Sequence, residues 1–125
     1  MLEVVAAMIC RGENFLICRR PEGKSRALLW EYPGGKVEPG EDLETALIRE
    51  CREELNLDLK PEKLLYETSH EYPEMTIHLS LFKASAGEQE PQLLEHCDSR
   101  WIRKEEIGNY DFCPADREIN KALFG

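Results

Sequence analysis

Residues 34–57, GGKVEPGEDLETALIRECREELNL, crowd seven acidic side chains onto a glycine-rich loop and the segment after it. From Asp42 to about Leu55 this run has good helix formers, acidic residues in its first turn and apolar residues at Leu43, Ala46, Leu47, Cys51 and Leu55. That spacing predicts an amphipathic helix, with Asn56 able to close it in the left-handed conformation. With Glu50 set at zero and 100° per residue, Glu54 falls at about 40° and Glu53 at about −60°, while the apolar stripe sweeps from about 20° at Leu43 to about 140° at Leu55. The carboxylates therefore overlap the margin of the buried face, whereas a solvated acidic face would lie opposite it. Like charges at helical neighbour spacing repel. Carboxylates at a core margin are costly unless paired or bound to metal. Three of them on one rigid helix suit hard divalent cations such as Mg²⁺ or Mn²⁺. Gly34 and Gly35 admit close backbone approach or positive φ. A free carbonyl there would be a further hard oxygen donor, although the pair also reads as a plain turn.

The flanking sequence predicts a mixed domain. Val4–Cys10 is a continuous apolar run, suited to a strand covered on both faces. Arg11-Gly12-Glu13-Asn14 is turn chemistry, and Phe15–Arg20 reads as a second strand, so the opening looks like a hairpin. Residues 21–26 form a polar loop, and Leu28–Tyr32 is a short apolar segment. Leu64–Tyr72 and Met75–Ala84 read as further strands, Ala86–Pro91 as a loop, Ser99–Ile102 as a short strand and Pro114–Phe124 as a closing helix. There are no repeats and no interdomain linker, so residues 1–125 are expected to form one domain.

The net charge of −9 argues against stable binding of nucleic acid through its phosphates, which requires Lys and Arg. It leaves room for a small phosphorylated ligand if cations mediate. Five cysteines, an odd number with no CxxC pair, read as reduced, with Cys10, Cys18 and Cys51 in core segments and a cytoplasmic location expected. The N-terminal apolar run stops at Cys10 and lacks a basic flank; it reads as a strand and not as a leader or membrane span.

The run Gly35-x5-Glu41-x7-Arg49-Glu50-Cys51-Arg52-Glu53-Glu54-Leu55-Asn56-Leu57 resembles the Nudix box, G-x5-E-x7-R-E-U-x-E-E-x-G-U with U bulky and apolar. Asn56 stands where the family has Gly, and Cys51 fills an apolar place as a small hydrophobe. Trp30-Glu31-Tyr32-Pro33-Gly34-Gly35-Lys36, Arg19-Arg20, the two-strand opening and the late Pro114-Ala115-Asp116 are similar to the MutT-like branch.

The resemblance implies an α+β Nudix fold, a mixed sheet sandwiched between helices (α/β/α), and hydrolysis of a nucleoside diphosphate linked to another moiety. It implies Mg²⁺ as cofactor, with Mn²⁺ able to replace it. Glu50, Glu53 and Glu54 would be metal ligands, with the Gly34 carbonyl and Glu95 as further candidates; Asp98 competes with Glu95. Arg49 would orient a glutamate of the helix, and Glu41 would steady the box from the loop side. Glu53 or Glu50 would take the proton of the attacking water. Arg20 would grip a phosphate, and Tyr32 is a candidate stacking surface. Asp116 would read the base as an acceptor for an exocyclic amino group and could equally be the N-cap of the closing helix. Met75 stands where MutT-type enzymes can present an arginine to the base, which points away from a strict 8-oxo-dGTP specificity. The expected reaction converts NTP or dNTP, cytidine or oxidised nucleotides among them, to NMP and pyrophosphate. A nucleotide-sugar or dinucleotide hydrolase is the alternative within enzymes, and a non-catalytic nucleotide-binding module the alternative outside them. The expected partner is a small nucleotide, with no membrane and a monomer or homodimer. Sanitation of the nucleotide pool would be the role.

Overall fold

The computed structural model describes residues 1–125. In chain order it has β1 (Leu2–Arg11), β2 (Asn14–Arg19), β3 (Trp30–Glu31), β4 (Gly34–Lys36), α1 (Leu43–Leu55), β5 (Lys60–Glu71), β6 (Thr76–Ser85), β7 (Asp98–Ile102), a 3₁₀ helix (Lys104–Asn109) and α2 (Pro114–Phe124). Strands run in the order β3-β2-β1-β6-β5, with β4 added to β1 and β7 to β2. The sheet is mixed: β1 and β6 are parallel, and the other pairs of named strands are antiparallel.

β1 is the hub because its side chains are apolar on both faces. Val5, Ala7 and Ile9 pack with Ala46, Leu47, Cys51 and Leu55 of α1. Ala6 and Met8, one step out of phase, pack with Ala115 and Ile119 of α2. The period-2 alternation of a strand thus feeds two cores, one under each helix.

The opening hairpin pairs only at its tip, Cys10↔Phe15 and Arg11↔Asn14. Beyond that the strands part: β1 continues against β6 and β4, and β2 against β7 and β3. Gly34-Gly35 is accordingly a strand and not a turn. A Cβ on Gly34 would lie 1.9 Å from the Val5 carbonyl oxygen, so only glycine permits this approach of β4 to β1.

Other boundaries shift for local reasons. β5 starts at Lys60, earlier than the apolar pattern suggests; Pro61 is accommodated on this edge strand, beside register shifts at Pro61/Lys63 and Leu64/Tyr66. The 3₁₀ helix carries no apolar period that would announce it. Asp42 caps α1 by accepting from the Thr45 N–H at 2.8 Å, and Asn56 ends it at φ 54° and ψ 38°. The N-cap of α2 is Cys113, followed by Pro114, so Asp116 lies inside the first turn and is not the cap. All five cysteines are free; Cys18, Cys51 and Cys113 are buried, Cys10 is half-buried and Cys97 is exposed. No helix is long and apolar enough to cross a membrane.

Candidate active site

Three elements meet at one end of the molecule: β4, the N-terminal loop of α1, and α1 itself. Arg49 ties them together. Its Nε donates to Glu41 Oε2 at 2.7 Å and its Nη2 to Glu41 Oε1 at 2.9 Å, a bidentate pair. Nη1 donates to Glu50 Oε1 at 2.9 Å and reaches Glu53 at 3.4 Å, while Nη2 also donates to the Lys36 carbonyl at 3.0 Å. Hydrogen bonding from Arg49, with the Glu38 N–H, holds the Glu41 carboxyl down at about 2. Glu50 lies against β4, for a Cβ on Gly35 would meet Glu50 Oε2 at 2.3 Å. The absent side chain of Gly35 is therefore the space in which that carboxylate sits.

The three helix carboxylates do not share one environment. Glu53 is half-exposed, with its side chain 53% accessible, while Glu50 is 15% accessible and bound to Arg49. Glu54 is half-buried, and its Oε1, sealed from solvent, has no hydrogen-bond partner. Burial, then repulsion from Glu31, Glu50 and Glu95, pushes its carboxyl up to about 9. No three His, Cys, Asp or Glu side chains converge as a closed cage. Arg49 holds two of the helix carboxylates, and the third, Glu54, lines both the main cleft and a smaller adjoining cavity. Glu95 lines a small, mainly polar cavity with Glu54, Glu31, Arg20 and His96, and pairs with Lys24 at 3.7 Å. Asp98 instead accepts from Arg100 and from the Ser99 N–H.

A cleft of about 730 Å³ opens beside these residues. Arg20, Tyr32, Gly34, Arg49, Glu50, Glu53, Glu54 and Asp116 all line it; Glu41 stands behind Arg49, and Glu95 lies in the adjoining cavity. The far end is apolar, with Tyr72, Met75, Ile77, Leu79 and Ala115. Tyr32 is buried between Phe15 and Phe112, and its OH donates to Asn120 Oδ1 at 2.6 Å. Asp116 Oδ1 accepts from the Tyr32 N–H at 2.9 Å. Burial, then repulsion from Glu31, pushes the Asp116 carboxyl up to about 8. The raised value favours the protonated form, which offers a donor as well as acceptors where an ionised side chain only accepts. Arg20 donates from Nε to the Ser25 carbonyl at 2.8 Å and from Nη1 to Glu31 Oε1 at 3.1 Å. Arg26 lies 4.0 Å over the Tyr72 ring and pairs with Glu74 at 2.5 Å, so an arginine does stand beside Met75, delivered by another loop.

Sequence reasoning missed Glu31 and His96. Glu31 lines both cavities, and His96 Nε2 lies 2.9 Å from its Oε2. The available signal was alternation: between buried Trp30 and Tyr32, Glu31 must point to the opposite side of its strand, toward the carboxylate helix.

The NUDIX domain family model matches residues 4–122. The chain is 38% identical over 123 residues to the CTP pyrophosphohydrolase of Escherichia coli (strain K12), covering 98% of this chain and 91% of that one. It is 32% identical over 117 residues to the 8-oxo-dGTP diphosphatase of the same organism, covering 92% and 91%. The crystal structure of a MutT protein from Methanosarcina mazei Go1 superposes with a TM-score of 0.87 at 28% identity, covering 97% and 91%.

Proposed function

The chain belongs to the NUDIX domain family, and from that premise we propose that it hydrolyses nucleoside triphosphates, ribo or deoxy, to the monophosphate and pyrophosphate. The observation that carries this is the placing of Glu50, Glu53 and Glu54 along one wall of a cleft whose far end is apolar and ends on Asp116. A polyphosphate fits the first part and a base the second.

Hydrolases of this family use a divalent metal, and the residues here fit one. Glu54 has a buried oxygen without a partner, and the donors around it are carboxylates. Glu50, Glu53 and Glu54, with the Gly34 carbonyl and Glu95, would hold Mg²⁺ or Mn²⁺. When bound, such an ion neutralises charge on the phosphate oxygens and makes the attacking water more acidic. The chain does the rest. A carboxylate oxygen of Glu53 or Glu50 takes the water's proton. Arg49, braced by Glu41 and the Lys36 carbonyl, keeps Glu50 against Gly35 and Glu53 within reach. Arg20 grips a phosphate and Asp116 hydrogen-bonds the edge of the base; Tyr32, its ring packed between Phe15 and Phe112, is no open stacking surface and serves by holding Asp116 through its N–H. Cytidine is the base proposed, with oxidised nucleotides next; likeness to a CTP pyrophosphohydrolase together with an acid at position 116 supports it. A housecleaning role against damaged nucleotides belongs to the same proposal.

A panel of ordinary, methylated and oxidised NTPs and dNTPs with Mg²⁺, scored for pyrophosphate against orthophosphate, tests it. Pyrophosphate release with cytidine nucleotides turned over fastest is expected. Orthophosphate as product, or turnover of nucleotide sugars alone, would overturn it.

A further inference from the structure

We infer that His96 is a positioning residue which, acting through Glu31, holds the Arg20 guanidinium in the cleft wall where it grips the substrate's phosphate chain. This rests on the proposed reading of the cleft as a nucleotide site.

The three side chains form a line from the interior to the cleft. His96 is the interior end, with its side chain only 4% accessible. Its backbone is fixed next door, where the Cys97 N–H donates to the Arg19 carbonyl at 3.0 Å, tying this loop to the end of β2. Nε2 lies 2.9 Å from Glu31 Oε2, and Nδ1 is buried without a partner, so Glu31 is the one polar group the ring serves. A carboxylate accepts only, so Nε2 carries the proton. Glu31 uses its other oxygen, Oε1, for Arg20 Nη1 at 3.1 Å. On the far side Arg20 Nε donates to the Ser25 carbonyl at 2.8 Å and Nη2 to Ser25 Oγ at 3.4 Å. Those bonds use one proton each on Nε, Nη1 and Nη2, leaving the second protons of Nη1 and Nη2 for a ligand. Arg20 and Glu31 both line the main cleft and the small cavity that holds Glu54 and Glu95.

The line has work to do because Glu31 stands among other acids: it lines the small cavity with Glu54 and Glu95 and the main cleft with Asp116. Left to itself the carboxylate would turn toward water, and Arg20 would regain the rotamer freedom of a long side chain. An imidazole anchored in the interior keeps Glu31 in place, and Glu31 keeps the guanidinium pre-ordered for a phosphate.

Side-chain amides separate a positioning role from mere filling. In H96Q the amide nitrogen reaches where Nε2 stands; in H96N it falls short. The measurements are KM and kcat with CTP, and inhibition by inorganic pyrophosphate as a probe of phosphate grip alone. H96N should raise KM and weaken pyrophosphate inhibition about tenfold with kcat within about threefold, while H96Q stays near wild type. R20A should show a similar loss, and H96N combined with R20A should add nothing further. Additive losses, a fall in kcat at unchanged KM, or H96Q no better than H96N would overturn the inference. Should H96N fail to melt cooperatively, E31Q replaces it in the cycle with R20A, and additivity there overturns it equally. If R20A alone changes neither constant, the phosphate grip fails and this inference with it, while the hydrolase reading stands. A wild-type protein that turns over no nucleotide would sink the reading itself.

Discussion

Glu53 and Glu54 are neighbours in sequence and opposites in environment. Glu53 is half-exposed, with only a 3.4 Å reach to Arg49, so E53Q should leave stability within about 0.5 kcal/mol of wild type. If Glu53 holds a cation or takes a proton, turnover falls on the order of 10²-fold or more. A folded E53Q protein with near-wild-type kcat would remove it from the site. Asp116 makes a prediction in pH. Its folded value of about 8 lies above the ordinary 3.8, so the unfolded chain loses this proton first. The stabilisation is therefore complete below about pH 4 and is lost as pH rises through 8. Thermal melts from pH 5 to pH 8 should show wild type losing at least about 1 kcal/mol relative to D116N, whose amide never ionises and still accepts from the Tyr32 N–H. Parallel curves for the two proteins would show that Asp116 is ionised in the fold.

At the scale of the element, β4 does two jobs with two glycines. Gly34 gives the strand its place, since any Cβ there collides with the Val5 backbone. Gly35 gives a carboxylate its place, since the nearest atoms a Cβ there would meet belong to the movable end of Glu50. The two alanine substitutions should therefore separate. G34A should cost about 3 kcal/mol or more in denaturant unfolding. G35A should cost about 1 kcal/mol or less, yet cut turnover on the order of tenfold or more, because a displaced Glu50 cannot keep its position relative to Arg49 and Glu53. Equal stability losses in the two variants would contradict the assignment. The helix opposite is built to match: capped by Asp42, closed by left-handed Asn56, and cross-linked by Arg49 to the loop ahead of it.

For the molecule as a whole, a net charge of −9 and a half-buried carboxylate next to other acids are liabilities that a bound divalent cation would relieve. Mg²⁺ at a hundred times its dissociation constant should add about 2.7 kcal/mol to stability and raise Tm by several degrees. E54Q removes this half-buried acid, so its metal-free Tm should equal or exceed that of wild type, while the Mg²⁺ shift disappears. An E54Q protein that still gains the full shift would place the cation elsewhere. The two cores flanking β1 tie the cleft together: α1 and α2 each pack on one face of the same strand, which fixes the carboxylate wall relative to Ala115 and Asp116 of α2.

Much of this was legible beforehand because it is local. The 3.6-residue apolar period of α1, the alternation-free apolar run of β1 and the spacing from Gly35 to Leu57 are all set by near neighbours in the chain, and they sufficed for the fold class and the carboxylate helix. What lay beyond reach depends on pairs far apart in sequence. Gly34-Gly35 reads as a turn until β1 is alongside. Arg26 reaches Tyr72 and Glu74 only because two loops meet across the cleft. The line from His96 through Glu31 to Arg20 joins residues up to 76 positions apart. Burial is likewise a tertiary property: of two identical side chains, folding leaves Glu53 half-exposed and takes Glu54 largely out of water, which raises the Glu54 carboxyl.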